Sequence, residues 1–412
     1  MDAAITHCRI CGSSALVEVF SLGNIAVSDF VREQKPITTP LALVMCDPHT
    51  GCALVQLKYP AVNPETMYRQ YWYKSGTNQT MRTALADITE KAEQVLPLHA
   101  GNVVIDIGAN DGTLLRSYRV SSIQKVGFEP AKNLAIEASV GGNRIINDFF
   151  NASAFQHLGL GKANIITSIA MFYDLEDPNT FVRDILDCLA PGGIWIIQLA
   201  YEPVMLAQNG FDNIVHEHVE YYSLKPLEIL FGKQGLEIFD VELNDVNGGS
   251  IRCYIRRKKE TTNQFPGAAE RVARLRADEE QGGWNTLAAY EKFSLRVQQI
   301  RQQTVDFIRE RVAEGKIIHV YGASTKGNTL LQYFGLDHRL IAAAAERNPD
   351  KWGLKTVITD IPIISEEESR KAKPDYYFVL PWHFLDEFVK REARYLQNGG
   401  HFIVPLPEFR II

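Results

Sequence analysis

The stretch VVIDIGANDGTLLRSY, residues 103–118, limits what this chain can fold into more than any other part of it. A short apolar run closes on a glycine-rich turn, and the turn opens a helix. Buried strand, turn and helix in that order form the repeating unit of a parallel sheet covered by helices. Further strand-like runs follow at KVGFEP, RIINDFF, ANIITSIA and, beyond Pro191-Gly192-Gly193, IWIIQLA, with helical text between them. GLEIFDVELN and SIRCYIRRK then read as a pair of strands that closes the sheet. The fold class expected is α/β.

The chemistry of the turn narrows the ligand. A dinucleotide site wants G-x-G-x-x-G, so that a pyrophosphate can approach the backbone at the helix N-terminus. Here the glycines are spaced G-x-x-x-G, and the loop carries Asp106 and Asp111, which would repel phosphate. A cofactor with an ammonium and a sulfonium but no phosphate suits that charge. The segment resembles class I S-adenosylmethionine-dependent methyltransferases, which are Rossmann-like. That resemblance implies that Asp106, Gly108 and Asn110 hold the methionine part and Glu129 the ribose hydroxyls. It puts Asp148 and Phe149 around the adenine, and Ser168 and Ala170, at the end of the fourth strand, facing the cofactor.

Four of the six cysteines fall within the first 52 residues, as Cys8-x2-Cys11 and Cys46-x5-Cys52. Two close pairs separated by a hydrophobic segment resemble a zinc ribbon with each pair on its own knuckle. A short N-terminal piece needs a staple, and a cytosolic chain cannot rely on disulfides. Cys8, Cys11, Cys46 and Cys52 are therefore the expected zinc ligands, with His49 as the substitute. Cys188 and Cys253 lie in apolar text and read as core.

With 412 residues, the chain exceeds what one core usually organises. Three units are expected: a zinc-binding domain at 1–70, an S-adenosylmethionine domain at 71–259, and a helical connector with a second Rossmann-like domain at 260–412. The last begins at KIIHVYGASTKGNTLLQYFG, again strand, glycine turn and helix. A net charge of −6 argues against a nucleic-acid surface, which needs clustered Lys and Arg. No apolar run has the ~18–20 residues that cross a bilayer. A cytoplasmic, membrane-free monomer is expected.

The Cys pairs come first, FDNIVHEHVEYYS follows the fifth strand, and the second Rossmann-like domain bears YGASTKGNTLL and the LPW that ends at Trp382. With these motifs in this order, nearly the whole chain resembles the sugar 3-C-methyltransferases, which methylate nucleotide-linked 4-keto deoxysugars in branched-sugar biosynthesis. The resemblance implies a base at His218, a functional neighbour in Glu217, and His216 orienting the substrate. Carbon becomes a nucleophile only after a proton beside a carbonyl is removed, and a histidine suits that task. Two His at i and i+2 do not share a helix face, so a metal there would need remote ligands. Where that family often has Tyr before H-E-H this chain has Val215, and where it often has His after the fourth strand this chain has Tyr173 and Asp174. Polar work then passes to Tyr173, Tyr221 or Tyr222.

Substrate contacts are expected at Tyr73, in the aromatic wall TMYRQYWYKSGTNQTMR, at Tyr173, and at Asn247 and Ser250 of NDVNGGS. Lys326 and Asn328 open a helix whose N-terminus suits a nucleotide diphosphate, and Lys351 and Trp382 would flank the base. An O-methyltransferase acting on a sugar nucleotide or polyol is the alternative activity. A non-catalytic zinc-ribbon scaffold is the alternative of another class, and the complete loop with Glu129 speaks against it.

Overall fold

In the computed structural model, which describes residues 4–33, 36–60, 63–69 and 71–412, the cysteine-bearing segment forms antiparallel strands β1 (Leu16–Ala26), β2 (Thr38–Cys46) and β3 (Val55–Leu57). The fourth strand of this sheet comes from far along the chain. Glu220–Tyr221, directly after H-E-H, pairs antiparallel with Val55 and Gln56. Inward residues of the sheet, among them Phe20, Leu41, Leu43 and Met45, share one core with the C-terminal half of the chain. A small sheet thus gains a large apolar partner as well as a metal centre, which suits the marginal core of so short a segment.

Helix α1 (Gln79–Val95) is capped by Asn78, whose side chain accepts from the Thr80 amide, and buries Leu85, Ile88, Ala92 and Val95 at helical spacing. The central sheet follows: β4 (Val103–Ile107), β5 (Gln124–Phe128), β6 (Arg144–Ile146), β7 (Ala163–Ile169), β8 (Leu189–Ala200), β9 (Leu236–Asn244) and β10 (Ser250–Arg257). Across the sheet they run β9-β10-β8-β7-β4-β5-β6. The five from β4 to β8 are parallel, while β10 runs antiparallel to β8 and to β9. The strand order turns back beside β4, so a crevice opens at the carboxyl ends of β4 and β7, the usual ligand position in such a sheet.

Two helices lead on. Helix α2 (Ala268–Gly282) and helix α3 (Leu287–Ala313, 27 residues, about 40 Å long) buttress the sheet through buried hydroxyl–carboxyl contacts. Tyr201 donates to Glu279 and Tyr290 to Glu202, both at 2.6 Å. Along α3, Tyr290, Phe293, Val297, Ile300 and Ile308 make a continuous apolar stripe, and Phe293 meets Phe20 of β1 at 5.0 Å between ring centroids.

The C-terminal unit is a second Rossmann-like sheet. Its strands are β11 (Ile318–Tyr321), β12 (Ala343–Glu346), β13 (Ile363–Ser365), β14 (Tyr376–Val379), β15 (His401–Val404) and β16 (Arg410–Ile411), in the order β13-β12-β11-β14-β15-β16. Helix α4 (Thr325–Phe334) follows β11, N-capped by Ser324. The protein is α/β, with two Rossmann-like sheets. Among the described residues, no helix is long and apolar enough to cross a membrane.

Candidate active site and metal centre

The four N-terminal thiols converge. All their sulfurs lie within 4.8 Å of one another, with Cys8–Cys52 and Cys11–Cys46 each at 3.4 Å. Tetrahedral Zn–S bonds of ~2.3 Å set sulfurs about 3.8 Å apart, so one zinc fits the space. The Cys52 amide points at Cys46 Sγ from 3.4 Å, and a Cβ on Gly51 would collide with that sulfur, so the second knuckle needs its glycine. His49 stands outside the cluster, exposed, with its amide on Asp47, so the substitute ligand is corrected. The knuckle turns its backbone inward at Cys46 and Cys52 and leaves the residues between them at the surface.

The crevice at β4 and β7 is lined by Asp106, Gly108, Asn110, Ile169, Ala170 and Gln198 on one side and by Tyr73, Tyr173, Asn247, Ser250 and Lys326 on the other. Gly108 adopts φ +73°, and a Cβ there would press to 3.2 Å from Met171. The turn therefore stays open to a ligand's close approach. Glu129 is buried at the tip of β5, its two oxygens accepting from the Asn110 and Ala131 amides at 2.7 and 2.8 Å. Both bonds fix the carboxylate's orientation and leave lone pairs for hydroxyls. Burial pushes Asp106 up to about 7, against the pull of the Thr167 hydroxyl at 2.6 Å and with help from the charge of Glu129.

A strap of residues 71–77, preceded by Tyr68 and Arg69, crosses this crevice. Ser75 donates to the Asn110 side chain at 2.9 Å, Gly76 to Asp111 at 2.7 Å, and the Asn110 amide group donates to the Tyr73 carbonyl at 3.0 Å. Arg69 binds Asp148 at 3.0 Å and lies over the Phe149 ring at 4.9 Å. Asp148 and Phe149 thus meet the strap at Arg69 and are not among the residues that line the crevice.

The H-E-H segment meets the start of the strap, where the Tyr68 hydroxyl donates to the Glu217 carbonyl at 3.4 Å. The amide of Val219 donates to the Tyr173 carbonyl at 2.9 Å, which lays the segment along the turn after β7. The His218 ring meets that of Tyr173 edge-on, 4.4 Å between centroids, and its Nδ1 lies 2.9 Å from the Asn213 carbonyl. Burial lowers His218 to about 3, with the Lys326 ammonium adding to the effect. Burial raises Glu217 to about 7 although Lys326 pulls it down. Lys326 itself bonds the Asn213 side chain. His216 is buried against β2 near Thr39, lowered to about 4 by burial, and its Nε2 has no partner.

Several expected contacts lie elsewhere. Ser168 Oγ accepts from the Trp195 indole at 3.1 Å in the apolar layer, because β7 alternates faces and Thr167 and Ile169 take the crevice side. Tyr222 is fully buried and donates to Glu220 at 2.5 Å, while its neighbour Tyr221 reaches toward the Asn213 carbonyl. Asn328 donates to the Asp29 carbonyl at 3.0 Å, and Lys351 to the Ala323 carbonyl at 2.8 Å with its ammonium over Phe30. Both tie the N-terminal segment to the C-terminal unit. Trp382 donates to Asp212 at 3.0 Å, which ties the loop before H-E-H to the C-terminal unit. Sequence reasoning missed Ser75, Met81 and Gln198 of the crevice; the aromatic wall before Ser75 was the one available signal.

Comparison with known proteins gives this geometry a context. Residues 8–68 match a zinc binding domain family, residues 78–241 a methyltransferase domain family, and residues 245–407 the C-methyltransferase C-terminal domain family. Over 99% of its length the chain is 30% identical to C-methyltransferase NovU of Streptomyces niveus, covering 97% of that protein. The chain belongs to the C-methyltransferase family. Two solved structures align with part of it. They are magnesium protoporphyrin IX methyltransferase (ChlM) from Synechocystis PCC 6803 with bound SAM (12% identity, 48% of this chain and 99% of that one, TM-score 0.36) and the plantazolicin methyltransferase BpumL in complex with SAH (11%, 43% and 84%, TM-score 0.34). At that distance neither carries any argument here.

In this C-methyltransferase the residues fit both cofactors the sequence implies. The thiol cluster suits zinc, and Asp106, the Gly108 turn and Glu129 suit S-adenosylmethionine. When bound, S-adenosylmethionine supplies an electrophilic methyl group. The chain's own part is to present a carbon nucleophile to it, which needs a base within reach of the same crevice.

Proposed function

We propose that the protein methylates C3 of a nucleotide-diphosphate-linked 4-keto-6-deoxysugar, with His218 as the base. The observation that carries this reading is the hydrogen bond of His218 Nδ1 to the Asn213 carbonyl, beside Tyr173 on the crevice wall. A carbonyl oxygen only accepts, so Nδ1 keeps the proton and Nε2 keeps its lone pair. The proton beside the ketone passes to Nε2, the electron pair moves onto the ketone oxygen as an enolate, and the enolate carbon takes the methyl group. Lys326, which lines the crevice and depresses the basicity of His218, is the cation a diphosphate would meet. An anion bound there removes one of the two effects that hold the imidazole down, so substrate binding would strengthen the base.

The test is a panel of nucleotide-linked 4-keto sugars incubated with the protein and S-adenosylmethionine, the added methyl located by NMR. A methyl on C3 is the expected product. A methyl on oxygen would assign the protein to sugar O-methylation instead, and no product with any 4-keto sugar would refute the substrate class.

A further inference from the structure

We propose that Asp174 is a positioning residue that works as a neutral carboxylic acid, holding the proton of an Asp174–Glu217 carboxyl pair. Only its catalytic consequence rests on the function proposed above.

Asp174 ends the short turn Phe172–Asp174 that follows β7. The neighbouring Tyr173 carbonyl takes the Val219 amide at 2.9 Å, so Asp174 lies against the H-E-H segment and not on a separate surface. Tyr68, just ahead of the strap, closes the space between the two acids. Its hydroxyl donates to the Glu217 carbonyl at 3.4 Å and faces the Asp174 carboxyl. One oxygen of Asp174, Oδ1, is sealed from water and has no hydrogen-bond partner among the described residues. An ionised carboxylate with a bare, buried oxygen is a costly arrangement, whereas a neutral acid is not.

Charge accounting points the same way. Glu217 faces the Lys326 ammonium and, more weakly, Asp29. Lys326 is shared with Asp212. Asp174 is surrounded by Glu217, Glu220 and the phenols of Tyr68, Tyr71, Tyr173 and Tyr221. Two neighbouring half-buried acids with one nearby cation hold a proton between them, and it stays on the member farther from the cation. Burial, then the charge of Glu217, raises Asp174 well above the ordinary range, while Glu217 stays near neutrality. With Asp174 neutral, Glu217 is the member of the pair that ionises, becoming a carboxylate next to His218 as pH rises through about 7. When Asp174 ionises at higher pH, two like charges repel in one pocket and the geometry is lost.

A measurement without substrate decides the first half. In protein labelled with 13C at aspartate carboxyls, the Asp174 signal, assigned by its absence from Asp174→Asn, should remain that of a protonated acid through pH 8. In Glu217→Gln it should titrate lower by at least ~1 unit, the usual effect of removing an adjacent charge. An Asp174 ionised at pH 7, or one that titrates identically in Glu217→Gln, overturns the proposal. The second half uses the sugar. Asp174→Asn, a neutral donor of the same shape, should keep near-neutral activity but lose the alkaline fall of the wild-type rate profile, whereas Asp174→Ala should lose activity with S-adenosylhomocysteine binding intact. An alkaline limb unchanged in Asp174→Asn contradicts the role. Should the wild type act on no keto sugar, the proposed function fails, and the carboxyl titration still decides the state of Asp174.

Discussion

At His218 and Glu217, one cause acts in opposite directions. Burial disfavours charge, so it lowers the imidazole to about 3 and raises the carboxyl to about 7. His218 therefore contributes no limb to a rate profile near neutrality. If the carboxylate of Glu217 is needed, the rate should fall as pH drops through about 7, and Glu217→Gln should abolish that limb; a limb that survives in the variant assigns it to another group. Glu129 makes a second case. Glu129→Ala removes the hydroxyl acceptor and leaves the Asn110 and Ala131 amides unpaired, so S-adenosylmethionine affinity measured by calorimetry should fall roughly ten- to a hundredfold, the equivalent of ~1.5–3 kcal/mol. Unchanged affinity would place the ribose elsewhere. The types of residue in this crevice were legible, because loop acids, turn glycines and a post-strand acid are local signals. Their facing was less so: Ser168 and Tyr222 sit one step out of phase, where a period of two sends a side chain to the opposite face.

Among the elements, the second cysteine knuckle and the Glu220–Tyr221 strand form one device. Gln56 lies four residues beyond Cys52 and pairs with Glu220, two residues beyond His218. Metal loss should therefore loosen the H-E-H segment while leaving the cofactor turn, which hangs on β4, intact. Gly51→Ala, which forces a methyl against Cys46 Sγ, should lower zinc affinity by roughly ten- to a hundredfold, the usual penalty for disturbing the shell around a ligand. In that variant methyl transfer should fall while S-adenosylhomocysteine binding persists; equal losses of both would contradict the separation. Strand and helix runs were plain in the text, since buried parallel strands are continuous apolar runs. The pairing of residues 55–56 with 220–221 was invisible, because it joins segments more than 160 positions apart and two-residue strands carry no period.

Across the whole molecule, α3 and the buried acids hold the two Rossmann-like sheets and the zinc-bearing sheet together. Glu202, bonded by Tyr290, is raised by burial to about 8. Its folded state holds a proton that the unfolded chain releases near pH 4.5, so its contribution to stability is complete below that and declines as pH rises toward 8. The melting temperature should fall over this window, and Glu202→Gln should flatten the fall; parallel curves would contradict the assignment. Cysteine placement and two strand–glycine–helix starts made the zinc-binding sheet and two Rossmann-like sheets legible, but their shared core was not, because burial between distant segments leaves no local mark. The crevice is lined from the central unit and, at Lys326, from the C-terminal one, and it frames the central claim that His218 makes a carbon nucleophile. The direct measurement is deuterium uptake beside the ketone of a 4-keto sugar nucleotide in D2O without a methyl donor. Wild-type protein should exchange that hydrogen, and His218→Asn should slow exchange by ~100- to 10,000-fold, the usual worth of a positioned base, with cofactor binding retained. Exchange at the wild-type rate in His218→Asn, or methyl transfer without any carbon-bound deuterium in the wild type, would contradict it.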